Sequence, residues 1–245
     1  MSQRAPAVTC CDFTLPSPEE NLACDEALLA GAEAGHTPAT LRFWMATRHF
    51  VVVGYGNDAT REVELNFCRA EGIPVLRRCS GGGTVLQGPG VLNYALVLSA
   101  QSPPCDSITS TNRAIMERHR VALSHLTGRP VSIEGHTDLA IEGRKFSGNA
   151  QRRGRRFLLF HGSFLLDLDL KLMERALRMP SRQPDYRASR THAAFVMNLH
   201  IPAARLKEKL QEAWEAQCAP LNFRRDELEK LIREKYGRPE WNSRA

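Results

Sequence analysis

The 245-residue sequence contains no run of 18 apolar residues, which is about the length that a membrane-spanning helix requires. Its first ten residues, MSQRAPAVTC, also lack the apolar segment of a secretory signal peptide. Both absences argue against a membrane or exported protein. They predict a soluble, cytoplasmic protein with no membrane partner.

Cysteine-based metal sites are absent as well. The seven cysteines form no Cys-x-x-Cys pair, and no cysteine and histidine cluster has zinc-ligand spacing. No His-x-x-x-His pair of the zinc-protease kind occurs either. The odd number and the scatter of the cysteines are typical of a reducing compartment. The sequence therefore predicts no built-in metal.

Two common nucleotide motifs are missing, although one segment is rich in glycine. The segment RRCSGGGTVLQGPG (77–90) lacks the Gly-Lys-Ser/Thr of a Walker loop, and predicted strands flank it on both sides, whereas a dinucleotide fingerprint leads into a helix. Because glycines carry no Cβ, the N–H groups from Ser80 to Thr84 can converge on an anion. Side chains alternate along a strand, so only one of Arg77 and Arg78 is expected to face that anion. The alternative is a wide hairpin turn.

Helical patterns at both ends of the chain enclose strand patterns in the middle, which predicts one α+β domain over residues 1–245. A helix is expected to start with Ser17 as cap, Pro18 and Glu20, and to stop at Gly35. The other predicted elements are strands at 40–44, 49–54, 73–78 and 92–99, a helix ending near Gly128, strands joined by tight turns over 131–170, a loop at 179–195 and helices from Ala203 onward.

A basic run and two single residues are the remaining candidates for chemistry. Residues 144–156 carry six basic residues and no acid. This run is compatible with a solvated turn, a phosphate site, a nucleic-acid patch or a docking face for an acidic partner. Only Phe146 and Phe157 accompany the arginines, so nucleic-acid recognition is poorly supported. Lys145, if not a surface charge, could follow a negative charge that migrates during a reaction. His161 is flanked by apolar residues, as satisfied core histidines are.

Several ordered segments together resemble one family. They are ENLACDEALL (20–29), RRCSGGGTVL (77–86), LNYALVLS (92–99), TDLAIEGRKFSGNAQRR (137–153), FHGSFLLDLD (160–169) and EKYGRPEWN (234–242). The chain resembles the biotin/lipoate protein ligases, and within them the lipoate–protein ligase A branch, over about residues 15–242.

The resemblance implies a mixed, largely antiparallel β-sheet flanked by helices, as in class II synthetase and biotin ligase catalytic domains. It implies activation of lipoate with ATP and Mg²⁺ to lipoyl-adenylate, followed by acyl transfer to a lysine. The expected acceptors are apo-lipoyl domains of 2-oxoacid dehydrogenases or the glycine-cleavage H protein. Lipoyl domains are generally acidic, which suits docking to the basic run.

The resemblance also assigns roles to residues. Lys145 is expected to contact both the carboxyl group and the phosphate. The residues expected to line the acyl-adenylate site or contact the nucleotide are Arg77, Arg78, Cys79, Ser80, Gly81, Gly82, Gly83, Thr84, Val85, Leu86, Gln87, Asp138, Gly148 and Asn149. Asn93, His161 and Gly162 are expected close to the substrate.

Two departures from the family pattern leave alternatives open. Gln87-Gly88 stands where a His-Asp pair is common, and no C-terminal accessory domain is expected, so a separate accessory subunit becomes an expected partner. The rival within the superfamily is an ATP-independent octanoyl or lipoyl transferase, which uses a cysteine nucleophile. This chain has Gly135-His136-Thr137 at one family position for that cysteine, and no cysteine between Cys105 and Cys218. The ligase is therefore favoured. A non-catalytic binding protein is the alternative from another class.

Overall fold

Most strands lie in the middle of the chain, as predicted, but an unpredicted strand precedes the first helix and helices interrupt the strands. The computed structural model describes residues 8–101, 103–220 and 224–244. Residues 1–7, where no signal peptide is expected, lie outside the described residues. The strands are β1 (Thr9–Asp12), β2 (Thr40–Trp44), β3 (Phe50–Val53), β4 (Val75–Arg77), β5 (Val85–Gln87), β6 (Val91–Ser99), β7 (Ser132–Glu134), β8 (Asp138–Ile141), β9 (Arg144–Arg153), β10 (Phe157–Leu165) and β11 (Gln217–Cys218). The helices are α1 (Pro18–Glu33), α2 (Ala59–Glu62), α3 (Leu65–Ala70), α4 (Ile108–Thr127), α5 (Leu170–Ala176), α6 (His192–Phe195), α7 (Ala203–Ala213), α8 (Arg225–Leu231) and α9 (Pro239–Ser243), with a 3₁₀ turn at Asp185–Arg187 and a π turn at Ile232–Tyr236.

The strands form two sheets. The larger has the order β11-β1-β2-β6-β10-β9-β8-β7, and the smaller has the order β4-β3-β5. In the larger sheet, β1 runs parallel to β2 and β11, and the remaining neighbours are antiparallel. The predicted α+β class, with a mixed and largely antiparallel sheet flanked by helices, is confirmed. The extent of a single domain over 1–245 stays a prediction.

The central strand β6 is buried on both faces of the large sheet, and its successive side chains point to opposite faces. On β6, Tyr94 and Leu96 belong to the core on the side of α4 and α7, whereas Ala95 and Val97 belong to the core on the side of α1 and α8. A central strand in this position is apolar at most of its positions, and Asn93 is the buried polar exception.

The start of α1 follows the predicted capping pattern. The Ser17 hydroxyl accepts a hydrogen bond from the Glu20 amide at 3.2 Å, and the Glu20 carboxylate accepts one from the Ser17 amide at 2.7 Å. Pro18 takes the first helical position. The chain leaves the helix through Gly35, whose φ of +79° suits glycine. Among the described residues, no helix is both long and apolar enough to cross a membrane.

A buried histidine makes part of this fold sensitive to acid. His119 on α4 is 0% exposed, and its Nε2 accepts a 2.9 Å hydrogen bond from the Trp214 indole. Burial, with a smaller effect of Arg118, lowers the pKa of His119 from 6.5 to about 3. Between these two values the unfolded chain binds a proton that the folded chain does not. This group therefore removes stability as the pH falls from 6.5 towards 3.

We expect the free energy of unfolding to decrease by about 1 kcal/mol per pH unit through His119 over this range. The variant His119→Gln, whose amide oxygen can still accept from Trp214, should lose that contribution. Urea unfolding of both proteins at about pH 8 and about pH 5 measures it. The same loss of stability in both proteins would contradict the assignment.

Candidate functional site

A cavity of about 960 Å³ lies on the α1 side of the large sheet. Its floor is a row of residues in register across five strands. Trp44 on β2 pairs with Asn93 on β6, Asn93 with Ser163 on β10, Ser163 with Gly148 on β9, and Gly148 with Asp138 on β8. Neighbouring strands are about 4.8 Å apart, so the row spans roughly 19 Å. The glycine segment and residues 180–196 supply much of the wall.

A β-bulge turns Lys145 towards this floor. Leu139 pairs with Ser147, but the next residue, Ala140, pairs with Lys145, so Phe146 is the extra residue. In a regular strand residues 146 and 148 would share a face, and residue 145 would point away from it. Instead, Phe146 packs into the core on the far face, and Lys145 lines the cavity beside Gly148. The bulge thus re-aims a charged side chain.

The side chain of Lys145 pairs with the carboxylate of Asp138 and passes over Gly148. Its Nζ lies 2.8 Å from Oδ1 of Asp138, and the two side chains are 25% and 16% exposed. A Cβ at position 148 would lie 2.8 Å from Nζ and 2.9 Å from Cε of the lysine, so any other residue there would displace the end of the Lys145 side chain. Because an ammonium has three hydrogens, two remain available for a ligand beside the ion pair with Asp138.

The two arginines before the glycines face opposite sides, as strand alternation predicts. Arg78 lines the cavity and donates to the carbonyls of Gly81 (2.6 Å) and Gly83 (2.8 Å). These bonds shape the turn formed by residues 80–84, the glycine turn. Arg77 is 0% exposed and lies outside the cavity wall. Its guanidinium donates to the backbone carbonyls of Gly54, Tyr55, Asn57, Trp241, Asn242 and Arg244. Arg77 therefore joins the C-terminal residues to the base of the glycine turn.

A buried polar chain fixes the turn to the sheet and to α1. The Ser80 hydroxyl is 2.5 Å from Nε2 of His161, and Nδ1 of His161 is 3.4 Å from Oδ2 of Asp25. Oδ1 of Asp25 accepts from Arg42 at 2.6 Å. Each of these four residues is at least nine-tenths buried. His161 is thus a satisfied histidine, as expected, but one that also lines the cavity.

Asn149 organises the turn before β8. Its Oδ1 accepts from the Tyr94 hydroxyl at 2.6 Å, and its Nδ2 donates to the Thr137 carbonyl at 2.6 Å. A Cβ at Gly162, the residue opposite on β10, would lie 1.9 Å from Oδ1 of Asn149. Gly162 is therefore needed so that the amide can cross the neighbouring strand.

Four buried polar atoms around the cavity have no hydrogen-bond partner among the described residues: Trp44 Nε1, Thr84 Oγ1, Gln87 Oε1 and Asn93 Nδ2. Buried polar groups are almost always paired in folded proteins. Unpaired donors and acceptors of this kind suit a cavity whose ligand completes the hydrogen bonds.

Most of the residues singled out from the sequence meet at this cavity. Those in its wall are Arg78, Gly82, Gly83, Thr84, Val85, Leu86, Gln87, Asn93, Asp138, Lys145, Gly148, Asn149, His161 and Gly162. Those outside the wall are Arg77, Cys79, Ser80 and Gly81. The contact of each residue with a ligand stays a prediction.

Sequence reasoning missed Asp25 and the whole segment 180–196. Asn21 and Asp25 are four residues apart on the buried side of α1. Such a polar pair on an otherwise apolar helix face could have identified Asp25 from the sequence. The segment 179–195, expected to be a loop, contains the 3₁₀ turn and α6. It brings Arg182, Tyr186, Arg187, His192 and Phe195 to the cavity.

Among the described residues that line the cavity, none is a cysteine. Cys79 is in the glycine segment, but it is 2% exposed and packs in the α1 core. Burial raises its pKa to about 12, so the thiol stays protonated near neutral pH. Within the described ranges, no group of three or more His, Cys, Asp or Glu side chains is placed to hold a metal ion.

Comparisons with known proteins bear on the family and on the fold. The model of the lipoyl protein ligase A/B catalytic domain matches residues 17–214. An octanoyltransferase LipM of Kyrpidia tusciae is 31% identical, with 91% of this chain and 94% of the relative covered. Lipoate-protein ligase A subunit 1 of Thermoplasma acidophilum is 29% identical, with coverage of 91% and 90%.

Two solved structures share the fold. One is a bi-partite lipoate protein ligase with its E2 lipoyl domain from Thermoplasma acidophilum, with a TM-score of 0.81, 23% identity, and coverage of 98% of this chain and 97% of that chain. The other is a lipoate-protein ligase A bound with ATP, with a TM-score of 0.81, 23% identity and coverage of 98% and 99%.

Proposed function

Because the chain belongs to the lipoyl protein ligase A/B catalytic domain family, we propose that it is an ATP-dependent lipoate–protein ligase. The lipoate carboxylate attacks the α-phosphorus of ATP, and pyrophosphate leaves. An acceptor lysine amine then attacks the acyl carbon of lipoyl-adenylate, and AMP leaves. Magnesium enters with the nucleotide. The acceptor is an apo-lipoyl domain or the glycine-cleavage H protein.

One observation carries this proposal: the cavity unites Lys145 with the glycine turn and has no cysteine in its described wall. A mixed anhydride carries negative charge on both its acyl and phosphate sides as it forms and breaks. The two free N–H groups of Lys145 can hold one oxygen from each side, and the bare backbone at Gly82 and Gly83 lets the anhydride approach. Because AMP is the leaving group of this mixed anhydride, the acceptor amine can attack the acyl carbon without a protein nucleophile.

The name of the Kyrpidia relative favours a second candidate, an octanoyltransferase that takes its acyl group from a carrier protein. Such a reaction through a thioester needs an accessible thiolate. Cys79 is adjacent in sequence to Arg78, which lines the cavity. Its buried, protonated thiol is unsuited to nucleophilic attack. We therefore rank the ligase first.

The decisive experiment combines purified protein, lipoate, ATP, magnesium and an apo-lipoyl domain, and follows the mass of the acceptor. A gain in mass that requires ATP supports the ligase. A gain only from an octanoyl-carrier donor would replace it with the transferase. A gain only after a second protein is added would assign activation to a ligase with a separate subunit, as in the bi-partite Thermoplasma enzyme. Cys79→Ser should transfer normally if the ligase mechanism is right.

A glycine substitution tests whether a ligand approaches the turn. A Cβ at Gly83 meets open space, and φ at this residue is not positive, so the folded chain itself does not require glycine. We expect Gly83→Ala to keep or slightly raise the melting temperature and to weaken ATP binding about tenfold, since the methyl group would stand where the nucleotide approaches.

Calorimetric titration with ATP measures this effect. Gly56→Ala is the matched control, because a Cβ there also meets open space and Gly56 lies outside the cavity wall. Unchanged affinity in Gly83→Ala would mean that the glycine serves no close approach.

A further inference from the structure

Tyr186, which lies outside the sheet, donates a hydrogen bond to Asp138, the carboxylate that pairs with Lys145. Tyr186 lies in the 3₁₀ turn, and its hydroxyl donates to Oδ2 of Asp138 at 2.6 Å. The other oxygen of Asp138, Oδ1, takes Nζ of Lys145 at 2.8 Å. Burial, and then the charge of Asp138, raises the pKa of Tyr186 far above its ordinary value. The phenol therefore remains a hydrogen-bond donor at neutral pH.

The position of Tyr186 is fixed by its own segment. The carbonyl of Tyr186 accepts from Nη2 of Arg190 at 2.8 Å, and its ring packs on Phe195 with 5.1 Å between centroids. The guanidinium groups of Arg187 and Arg190 lie 4.7 and 5.2 Å from the centre of the Phe195 ring. The phenol thus belongs to a packed unit and is not a freely rotating surface group.

The same segment is attached to the strand of Lys145. The amide of Met197 donates to the carbonyl of Lys145 at 2.9 Å, and Nη2 of Arg144 donates to the carbonyl of Val196 at 2.9 Å. Residues 186–197 therefore hold Lys145 in two ways. Met197 bonds its backbone directly, and Tyr186 acts on its side chain through Asp138.

We propose that Tyr186 is a positioning residue for Lys145, a role that rests on the proposed function. By donating to Oδ2, the phenol weakens that oxygen as a second acceptor and leaves Oδ1 as the preferred acceptor for the lysine. One N–H of the ammonium is then used, and two stay directed to the acyl and phosphate oxygens of the anhydride. Without the phenol, Oδ2 is free to take a second N–H, and the ammonium turns away from the reacting groups.

The variant Tyr186→Phe removes only the hydroxyl and keeps the ring on Phe195. We expect kcat for lipoyl-adenylate formation to fall about tenfold, with KM for ATP and lipoate nearly unchanged, because a small misplacement of a catalytic group costs mainly transition-state binding. In an Asp138→Asn background the same substitution should cost nothing further, since the phenol acts through the carboxylate. Equal losses in both backgrounds would overturn the proposal.

A second measurement does not depend on activity. NMR of protein labelled with ¹³C at the lysine ε-carbons, with the Lys145 signal assigned by its loss in Lys145→Met, reports the environment of the ammonium directly. The Lys145 signal should move in Tyr186→Phe while the other lysine signals stay in place. An unmoved signal would sink the proposal even in an active enzyme. A moved signal in a protein without ligase activity would keep the contact and reject only the proposed function.

Discussion

Replacing Lys145 with alanine is expected to abolish acyl transfer, with the rate of lipoyl-adenylate formation lowered about 10³-fold, which is the scale for removing a donor from a developing charge. Lys145 keeps N–H groups for a ligand, whereas Arg78 uses donors on the carbonyls of Gly81 and Gly83. Release of pyrophosphate from ATP and lipoate, without acceptor, measures the first step. Mass gain of an apo-lipoyl domain measures the second.

The fold should survive this substitution. The Lys145–Asp138 pair is partly exposed, and such pairs contribute at most about 1 kcal/mol. The melting temperature should therefore stay within a few degrees of wild type. Lys145→Arg should also be inactive, because a planar guanidinium cannot replace the compact point charge of Nζ. Pyrophosphate release by Lys145→Ala at a rate close to wild type would remove Lys145 from the mechanism.

Local chemistry predicted much of the fold. The capping pattern around Ser17 placed the start of α1, and the expected strand at 92–99 corresponds to Val91–Ser99. The expected end near Gly128 is where α4 stops, with φ of +65° at that glycine. These features depend on residues close in sequence, so one chain is enough to read them.

What sequence could not supply depends on register between distant strands. Nothing local in GRKFSGNA indicates that Phe146 is a bulged residue, yet that bulge decides which face Lys145 takes. The strand β5 at Val85–Gln87 was likewise unexpected, because its partner β3 lies more than thirty residues earlier. The segment 179–195 shows no helical or strand periodicity that would predict its place in the cavity wall. Its conformation depends instead on arginines that stack on Phe195.

The buried pair of Arg42 and Asp25 gives the second large expected effect. Their side chains are 0% and 3% exposed and 2.6 Å apart. Arg42 also donates to Oδ1 of Asn21 at 2.7 Å and lies 4.7 Å from the centre of the Phe13 ring. Removing one partner leaves an uncompensated charge in the core. Asp25→Ala should therefore lower the free energy of unfolding by about 3–5 kcal/mol.

A double variant separates this pair from simple packing. Arg42→Met removes the other charge while keeping an apolar stem of similar length, so Arg42→Met with Asp25→Ala should be clearly more stable than the sum of the two single losses predicts. Urea unfolding of the four proteins measures the coupling. Strictly additive losses would mean that the two charges do not stabilise each other.

Asp25 also faces Nδ1 of His161, and His161 in turn holds Ser80 of the glycine turn. Asp25→Asn should therefore weaken ATP binding more than its loss of stability alone accounts for. Calorimetric titration of the folded variant with ATP tests this.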